Sequence, residues 1–526
     1  MHWSLPYSSR RSPLFARNVV ATSQPLAAQA GLRMLTAGGN AVDAALATAI
    51  ALTVVEPTMN GIGSDAFAIV WDGKSLYGLN ASGRAPAAWS LSRFDGRSRM
   101  PTEGWDSVTV PGAVSGWVAL SERFGRLPFE TLFEPAISYA ESGFLVSPVV
   151  AYQWQVQAPR LKDQPGFARA FLPNGQPPAV GQVFLHPDQA RSLSEIARSR
   201  GESFYRGVLA QRIVESSTHC GGAMTLQDLA AHRADWVEPL QQEYRGYRVH
   251  ELPPNGQGIA ALVALGILGH FDLAAFPVDS ADSVHLQVEA MKLAFADAYR
   301  HVADPQAMQL PVEAMLDRGY LRSRARLIDR GRAGKFTPGS PLSSDTVYLC
   351  TADRDGIMVS LIQSNYMGFG SGVVVPGTGI SLQNRGAGFI LQPGHPNVVA
   401  GGKRPFHTII PGFISRDGVP VMSFGLMGAD MQPQGHVQMV VRFADYAQNP
   451  QAAADAPRWK VTSGGELLLE ESFGDAVAAE LARRGHRVVR MPRGSLEFGA
   501  AQLIWKLVDG YVAGSEPRRD GQAVGF

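Results

Sequence analysis

Apolar and polar positions follow two different periods along this chain, and the changes of period divide it. The stretch "QPLAAQAGLRMLTAGGNAVDAALATAIALTVVEP" (residues 24–57) has the 3–4 spacing of helices, interrupted at Gly38-Gly39. It predicts two helices, closely packed because most of their side chains are small. "DAFAIVWDGKSLYGLNAS" then predicts a hairpin turning at Asp72-Gly73. From about Val108 to Arg332 the pattern is mostly helical, as in "GWVALSERFG", "FEPAISYAESG" and "SVHLQVEAMKLAFADAYRHV". At Arg332 the periodicity stops. "GRAGKFTPGSPLSSD" is rich in Gly, Pro and Ser and predicts an exposed loop. A hairpin follows, "TVYLCTA" and "IMVSLIQS" about the turn "DRDG". "GLMGADMQPQGHVQMVVRFADYAQ" returns to helix, and the tail alternates short strands with one helix. Helices, hairpins, then helices and hairpins again predict an α+β fold, antiparallel sheets sandwiched by helices. There is no internal repeat.

Composition narrows the function classes. The 526 residues are 45% hydrophobic and 18% charged, with a net charge of +1 and no long run of one sign. Neither nucleic acid nor an anionic membrane surface is an expected partner. Cys220 and Cys350 are too few for a disulfide framework, and no Cys/His cluster has zinc spacing, so neither metal nor cofactor is expected. The N-terminal stretch carries Arg10, Arg11 and Arg17 but no apolar run of signal-peptide length, and no segment has the length to span a bilayer. A cytoplasmic protein is the expectation.

Two motifs are decoys. "GIGSDA" (residues 61–66) matches a dinucleotide fingerprint, but a predicted helix precedes it and a predicted strand follows, the reverse of what that fingerprint needs. "DGKS" lacks the upstream Gly of a phosphate loop and reads as the hairpin turn. No G-x-S-x-G elbow and no H-E-x-x-H occurs.

Thr346 stands where the loop meets the strand. A threonine hydroxyl is a weak nucleophile unless a base takes its proton. A Thr made the first residue of a chain carries its own base, an α-amine with a pKa of about 7.7–8.0. An internal Thr gains that amine only if the bond before it is cut. A loop, a small polar junction and a strand are what a self-cleaving precursor would need. Pattern alone also allows Thr346 to be the ordinary first residue of a strand.

The chain resembles the γ-glutamyltranspeptidase family of N-terminal-nucleophile hydrolases over nearly its whole length. The resemblance runs through "GGNAVDAALATAIALTVVEP", "GIGSDAFAIVWDG", "VTVPGAVSGWVALSERFGRLPFETLFEPAISYAESGFLVS", "FYRGVLAQRIVE", "GGAMTLQDLAAHRADWVEPLQQEYRGYRVHELPPNGQGI" and "GFGSGVVVPGTGISLQNR", in the family's order. It implies a four-layer αββα sandwich and autocatalytic cleavage between Asp345 and Thr346. Fragments 1–345 and 346–526 would then form one globular heterodimer, which could itself pair. It puts Thr346 at the nucleophile and Ser364 at the hydroxyl that bonds it. Gly428 and Ala429 fall on the paired glycines whose N–H groups form the oxyanion hole; Ala keeps that N–H.

The resemblance breaks where the family holds a γ-glutamyl group. Ser82 stands at its carboxylate-binding Arg, with Arg84 two residues on. His407-Thr408 replaces a Ser-Ser pair, and Ala387-Gly388 an Asp-Asp pair. A substrate ammonium would lack its anionic partner, at a cost on the order of several kcal/mol. What remains is Arg84, Tyr366, Arg385, His407 and Thr408, a cationic, hydroxyl-rich set suited to a small anionic amide. Arg84 and Arg385 are also readable as structural ion pairs, and His407 and Tyr366 as packing residues. Among relatives the chain is most similar to oxamate amidohydrolases of purine catabolism, which form oxalate and ammonia. Glutaryl-cephalosporin-type acylases, transpeptidases proper and uncleaved non-catalytic relatives are the alternatives.

Overall fold

The two helices expected around Gly38-Gly39 span Pro25–Thr36 and Ala41–Val55 in the computed structural model, which describes residues 11–335 and 345–526. Residues 336–344, the greater part of the expected loop, lie outside the described residues. Asn40 opens the second helix through a capping box with Asp43, satisfying orphan N–H groups at its start. Every residue of Ala41–Val55 is buried, which explains its all-round apolar composition.

Two seven-stranded sheets form the middle of the molecule. The first runs in the order Gln522–Gly525, Val19–Thr22, Asp345–Ala352, Met358–Tyr366, Asp65–Trp71, Leu76–Ala81 and Asp235–Val237. The second runs Leu14–Ala16, Tyr511–Ser515, Ala500–Lys506, Val419–Met427, Gly412–Arg416, Tyr247–Glu251 and Leu240–Tyr244. All their neighbouring strands pair antiparallel. Both sheets contain strands from before and after Thr346, so the two stretches of chain share one core.

The cores give the layer order. Val19, Phe67, Ile69, Tyr348, Cys350 and Ile362 of the first sheet pack against Phe413, Ile504 and Ala513 of the second. The outer face of the first sheet buries Val347, Leu349, Val359 and Leu361 against helices that include Ala41–Val55 and Ala113–Phe124. The outer face of the second meets Gly258–Leu268, Ala281–His301 and Met431–Ala444. This is the αββα sandwich expected from the resemblance.

The hairpins at Asp72-Gly73 and after Ala352, and the helix after Gly428, form where the pattern predicts them. The helical middle is interrupted by three strands, Asp235–Val237, Leu240–Tyr244 and Tyr247–Glu251, that complete both sheets. Leu240–Tyr244 is an edge strand, alternately half-buried and exposed, so Gln241, Gln242 and Glu243 conceal its period.

Candidate active site

Side-chain alternation fixes where Thr346 points. In Asp345–Ala352, Val347 and Leu349 face the helices, while Tyr348 and Cys350 face the second sheet. Thr346, the second residue of this strand, shares the second parity, so its side chain enters the space between the sheets. Ser364 lies on the same face of its strand as Ile362, and Asp65 on the same face as Phe67. Asp65 and Ser364 are cross-strand partners. A bulge adds to this: Asp345 pairs with Tyr366 and Val347 with Gln363, so Ser364 and Asn365 both stand opposite Thr346.

Fully buried Thr346 donates from Oγ1 to Ser364 Oγ at 3.2 Å. Ser364 Oγ accepts the backbone N–H of Tyr366 at 2.8 Å, and Gln432 Nε2 reaches Thr346 Oγ1 at 3.5 Å. Gln432 is held by the Ile410 N–H on its Oε1 at 2.9 Å.

Gly428 and Ala429 form the turn between the strand Val419–Met427 and the helix Met431–Ala444. Gly428 has φ +118° and Ala429 φ +55°, and Tyr366 nearby has φ +79°. Two non-glycine residues in the left-handed region beside one hydroxyl mark stored strain, about 1–3 kcal/mol each, of the kind found at functional sites. The carbonyls of this turn are bonded: Gly428 O to Met431 N at 2.9 Å, and Ala429 O to Gln432 N at 3.1 Å and Gln257 Nε2 at 2.8 Å. Among the described residues the N–H groups of Gly428 and Ala429 have no acceptor. Fixed carbonyls with free N–H groups are the arrangement an oxyanion requires.

Arg385 lies across from this turn. It is fully buried, donates from Nη1 to Thr408 Oγ1 at 2.6 Å, and stands 4.5 Å over the ring of Tyr366. Its Nε and Nη2 have no partner among the described residues. Burial pulls its pKa down to about 10, against the opposing effect of Asp65. Asp65 is likewise fully buried; burial raises its carboxyl to about 7, opposed first by Arg385. Its Oδ1 accepts the N–H groups of Gly112 and Gly83 at 3.0 and 3.2 Å. Its Oδ2 lies 3.0 Å from His407 Nε2. His407 Nδ1 faces the Ile409 N–H at 3.4 Å and therefore accepts, which leaves the proton on Nε2 to bond Asp65. Burial, then the charges of Arg385 and Arg404, hold His407 well below the usual range, so the ring is neutral. Gln257 links the two sides: its Nε2 donates to the carbonyls of Thr408 and Ala429, and its N–H to that of His407.

Close backbone approach builds this wall. Gly63 exchanges hydrogen bonds with the 381–383 segment, and a side chain there would collide with the carbonyl of Ser381 and with Leu382. That is the reason for glycine in "GIGSDA", a strand entry rather than a cofactor loop.

Thr346, Ser364, Tyr366, Arg385, His407, Thr408, Gly428 and Ala429 thus fall in one contact network. Arg84 does not. Its guanidinium bonds Asp304 at 3.1 Å and the Gly402 carbonyl at 3.2 Å, with the side chain 39% exposed, and among the described residues no side-chain hydrogen bond or ion pair joins it to the network. The expected pocket role gives way to a structural ion pair, because Arg84 follows the strand end and turns toward Asp304. Ser82 is spent on Asn80 Oδ1 at 2.7 Å. Sequence reasoning missed Asp65, Gln257 and Gln432. The available signal was an acid, Asp65, on the inward parity of an otherwise apolar strand.

Two clefts flank Tyr366–Gly368. One, of about 460 Å³, is lined by Tyr366, Ala387, Gly388 and Phe406. The other, of about 580 Å³, is lined by Met367, Gly368 and Gly428. Away from both, His285, Glu289 and His486 have the donor types of a metal site. Their hydrogen bonds order them differently. His285 Nε2 bonds the Asp329 carbonyl, so its Nδ1 accepts from His486 Nε2 at 2.8 Å. Lys292 Nζ fills the remaining position, 2.7 Å from Glu289 Oε1 and 3.4 Å from His486 Nδ1. With Glu289 also accepting the Gly334 N–H, the cluster fastens residues 329–334 to the helix Ala281–His301.

The chain is 37% identical over 525 residues to a glutathione hydrolase-like proenzyme of Bacillus subtilis, covering 98% of this chain and 100% of that one. It is 37% identical over 515 residues to an oxamate amidohydrolase proenzyme of Klebsiella pneumoniae, covering 95% and 97%. The crystal structure of a cephalosporin acylase from Bacillus halodurans superposes with a TM-score of 0.96 at 49% identity, covering 100% and 99%. The family model described as gamma-glutamyltranspeptidase matches residues 27–526. The chain belongs to the gamma-glutamyltranspeptidase family of N-terminal-nucleophile hydrolases.

Proposed function

We propose that the chain cuts itself between Asp345 and Thr346 and hydrolyses amides whose acyl part carries a carboxylate. The observation that carries this reading is Arg385, a buried guanidinium with two N–H groups unpartnered among the described residues. A carboxylate accepts two such groups side by side. In the proposed reaction the freed α-amine of Thr346 takes the Oγ1 proton, and Oγ1 attacks the amide carbon. The N–H groups of Gly428 and Ala429 receive the developing oxyanion, where one donor is worth about 2.7–4 kcal/mol. The amine leaves with the proton, and water releases the acid from the ester. Fragments 1–345 and 346–526 stay together because each sheet contains strands of both.

Oxamate, giving oxalate and ammonia, is the smallest amide of this class and our first reading. Burial of Arg385, packed over the Tyr366 ring, favours a short acyl group. A second reading, an acylase for a larger dicarboxylic half-amide, is favoured by the cleft of about 580 Å³ beside Gly428. The test is a panel of oxamate, glutaramate, a glutaryl anilide and a γ-glutamyl anilide, followed by release of ammonia or amine. The expected order puts the amine-free acids far ahead. Preference for the γ-glutamyl anilide would overturn the proposal, as would a purified protein that stays one uncut chain.

A further inference from the structure

Gln432 touches the nucleophile yet has no task in the reaction above. It is the second residue of the helix Met431–Ala444 and is fully buried. Its backbone N–H donates to the Ala429 carbonyl at 3.1 Å, which fixes the residue to the oxyanion turn. The Ile410 N–H meets Oε1 at 2.9 Å, and a donor there selects the oxygen, so the amide is turned one way. Nε2 therefore faces Thr346 Oγ1 as a donor, 3.5 Å away. A hydroxyl has one O–H and two lone pairs. Thr346 gives its O–H to Ser364 at 3.2 Å and turns one lone pair to Gln432, which leaves the other for bonding to carbon. A contact of this length in a resting site tightens when charge grows on the acceptor.

Charge grows on Oγ1 when the ester breaks. Water adds to the acyl carbon and passes its proton to the Thr346 α-amine. The C–Oγ1 bond then breaks, its electron pair stays on Oγ1, and the α-ammonium returns the proton. Ester formation from an amide has a different bottleneck. The amine is the harder group to expel, and Oγ1 is already bonded to carbon when the C–N bond breaks. We infer that Gln432 is a catalytic residue for ester breakdown, its Nε2–H stabilising Oγ1 as the leaving group. It serves substrate turnover and self-cleavage alike, since in the latter the same oxygen must leave the Asp345 carbonyl carbon. The inference rests on Thr346 being the nucleophile proposed above. A donor aimed at a developing alkoxide is worth about tenfold to a hundredfold in the step it serves.

The experiment follows the amine released from glutaryl-4-nitroanilide after rapid mixing with native protein and with Gln432→Met, which keeps the length of the side chain without its donor. The variant is expected to release a burst of about one amine per active site and then turn over about tenfold more slowly than native protein, with kcat and KM falling together and kcat/KM within about twofold. Gln432→Glu, which keeps an oxygen for the Ile410 N–H, should give the same burst at about pH 8, where an ionised carboxylate replaces the donor. Loss of kcat/KM with no burst, or a native kcat in both variants, overturns the inference. If the native protein cuts no anilide, the amide hydrolysis proposed above fails, and Gln432 is then read in self-cleavage alone. Uncut Gln432→Met should split between Asp345 and Thr346 about tenfold faster in neutral hydroxylamine, which captures the ester. No acceleration, or maturation as fast as that of the native chain, overturns it.

Discussion

Replacing Arg385 by Met separates stability from activity. Burial lowers the guanidinium's pKa from the ordinary 12.5 to about 10. At 1.36 kcal/mol per unit, the folded state disfavours the charged form by about 3 kcal/mol. The sign follows from the direction: a base with a depressed folded pKa carries this cost at every pH below about 10. Methionine is unbranched and uncharged, so Arg385→Met removes the cost. It also removes the Thr408 hydrogen bond, about 1.5–3 kcal/mol, and the contact with the Tyr366 ring, about 1–2 kcal/mol. These offset, and net stability should change by no more than about 1–2 kcal/mol. Activity has no such offset. Two charge-assisted bonds to a substrate carboxylate are worth about 3 kcal/mol or more together, roughly 10²–10³ in kcat/KM. The assay compares an anionic amide with its methyl ester in the native and variant proteins, alongside thermal melts. The anionic-to-ester ratio should collapse while the melting temperature hardly moves. An unchanged ratio would refute the assignment. A large drop in melting temperature would mean that the guanidinium is structural.

Other changes probe the remaining parts. Thr346→Ala should run as one band on a denaturing gel, since the residue supplies both the nucleophile and the new N-terminus; two bands would put the junction elsewhere. Ser364→Ala removes the 3.2 Å partner of Thr346 Oγ1 and should lower kcat by about tenfold with little change in KM, with Ser364→Thr restoring it. Arg84→Ala should leave KM within about twofold and cost less than about 1 kcal/mol, because Asp304 keeps the Arg404 and Gln306 N–H groups at 2.8 and 3.1 Å. A steep rise in KM would return Arg84 to the pocket. Asp65, raised to about 7, is neutral below that pH and anionic above it. The anion competes for Arg385, so kcat/KM for anionic amides should fall as pH rises through about 7, and Asp65→Asn should flatten that limb.

Much of this was legible in the chain because period and face agree there. The alternation in "TVYLCTA" shows one set of residues facing helices and another facing the second sheet, and Thr346 inherits its direction from Tyr348. The two helices at Gly38-Gly39 and both hairpins are local features with their own turn and capping chemistry. The edge strand Leu240–Tyr244 was not legible, since a half-exposed strand flanked by helices carries little apolar signal. Arg84 and Arg385 looked alike as lone cations in polar contexts. Only tertiary structure separates them, by setting Asp304 beside one and leaving two N–H groups of the other unpartnered among the described residues. Asp65 lies within "GIGSDA", a motif whose order of elements rules out a dinucleotide loop, and its partner His407 is 342 residues away.

In the proposed site, the departures from the family's γ-glutamyl-binding pattern act as one unit. Placing Ala387-Gly388 where the family has two acids removes the anionic partner an ammonium would need. Arg385 then stands in the same stretch as a cation, and Asp65 is the acid that faces it. Because burial raises Asp65 to about 7 and leaves His407 neutral, the Asp65–Arg385–His407 set shifts between net zero and +1 by a single proton near neutral pH. Linkage requires the converse. An anion bound at Arg385 raises the Asp65 pKa further, so binding takes up a proton at pH between the free and bound values and weakens as pH rises through that range; below it Asp65 is already protonated and no proton is taken up. A zwitterion with an ammonium beside its carboxylate would gain nothing from this exchange, since its cation meets Arg385 and neutral His407. In the proposed site the charge pattern would therefore select by repulsion as well as attraction. The proposed attraction is strongest below about pH 7, where Asp65 is protonated and Arg385 is uncompensated.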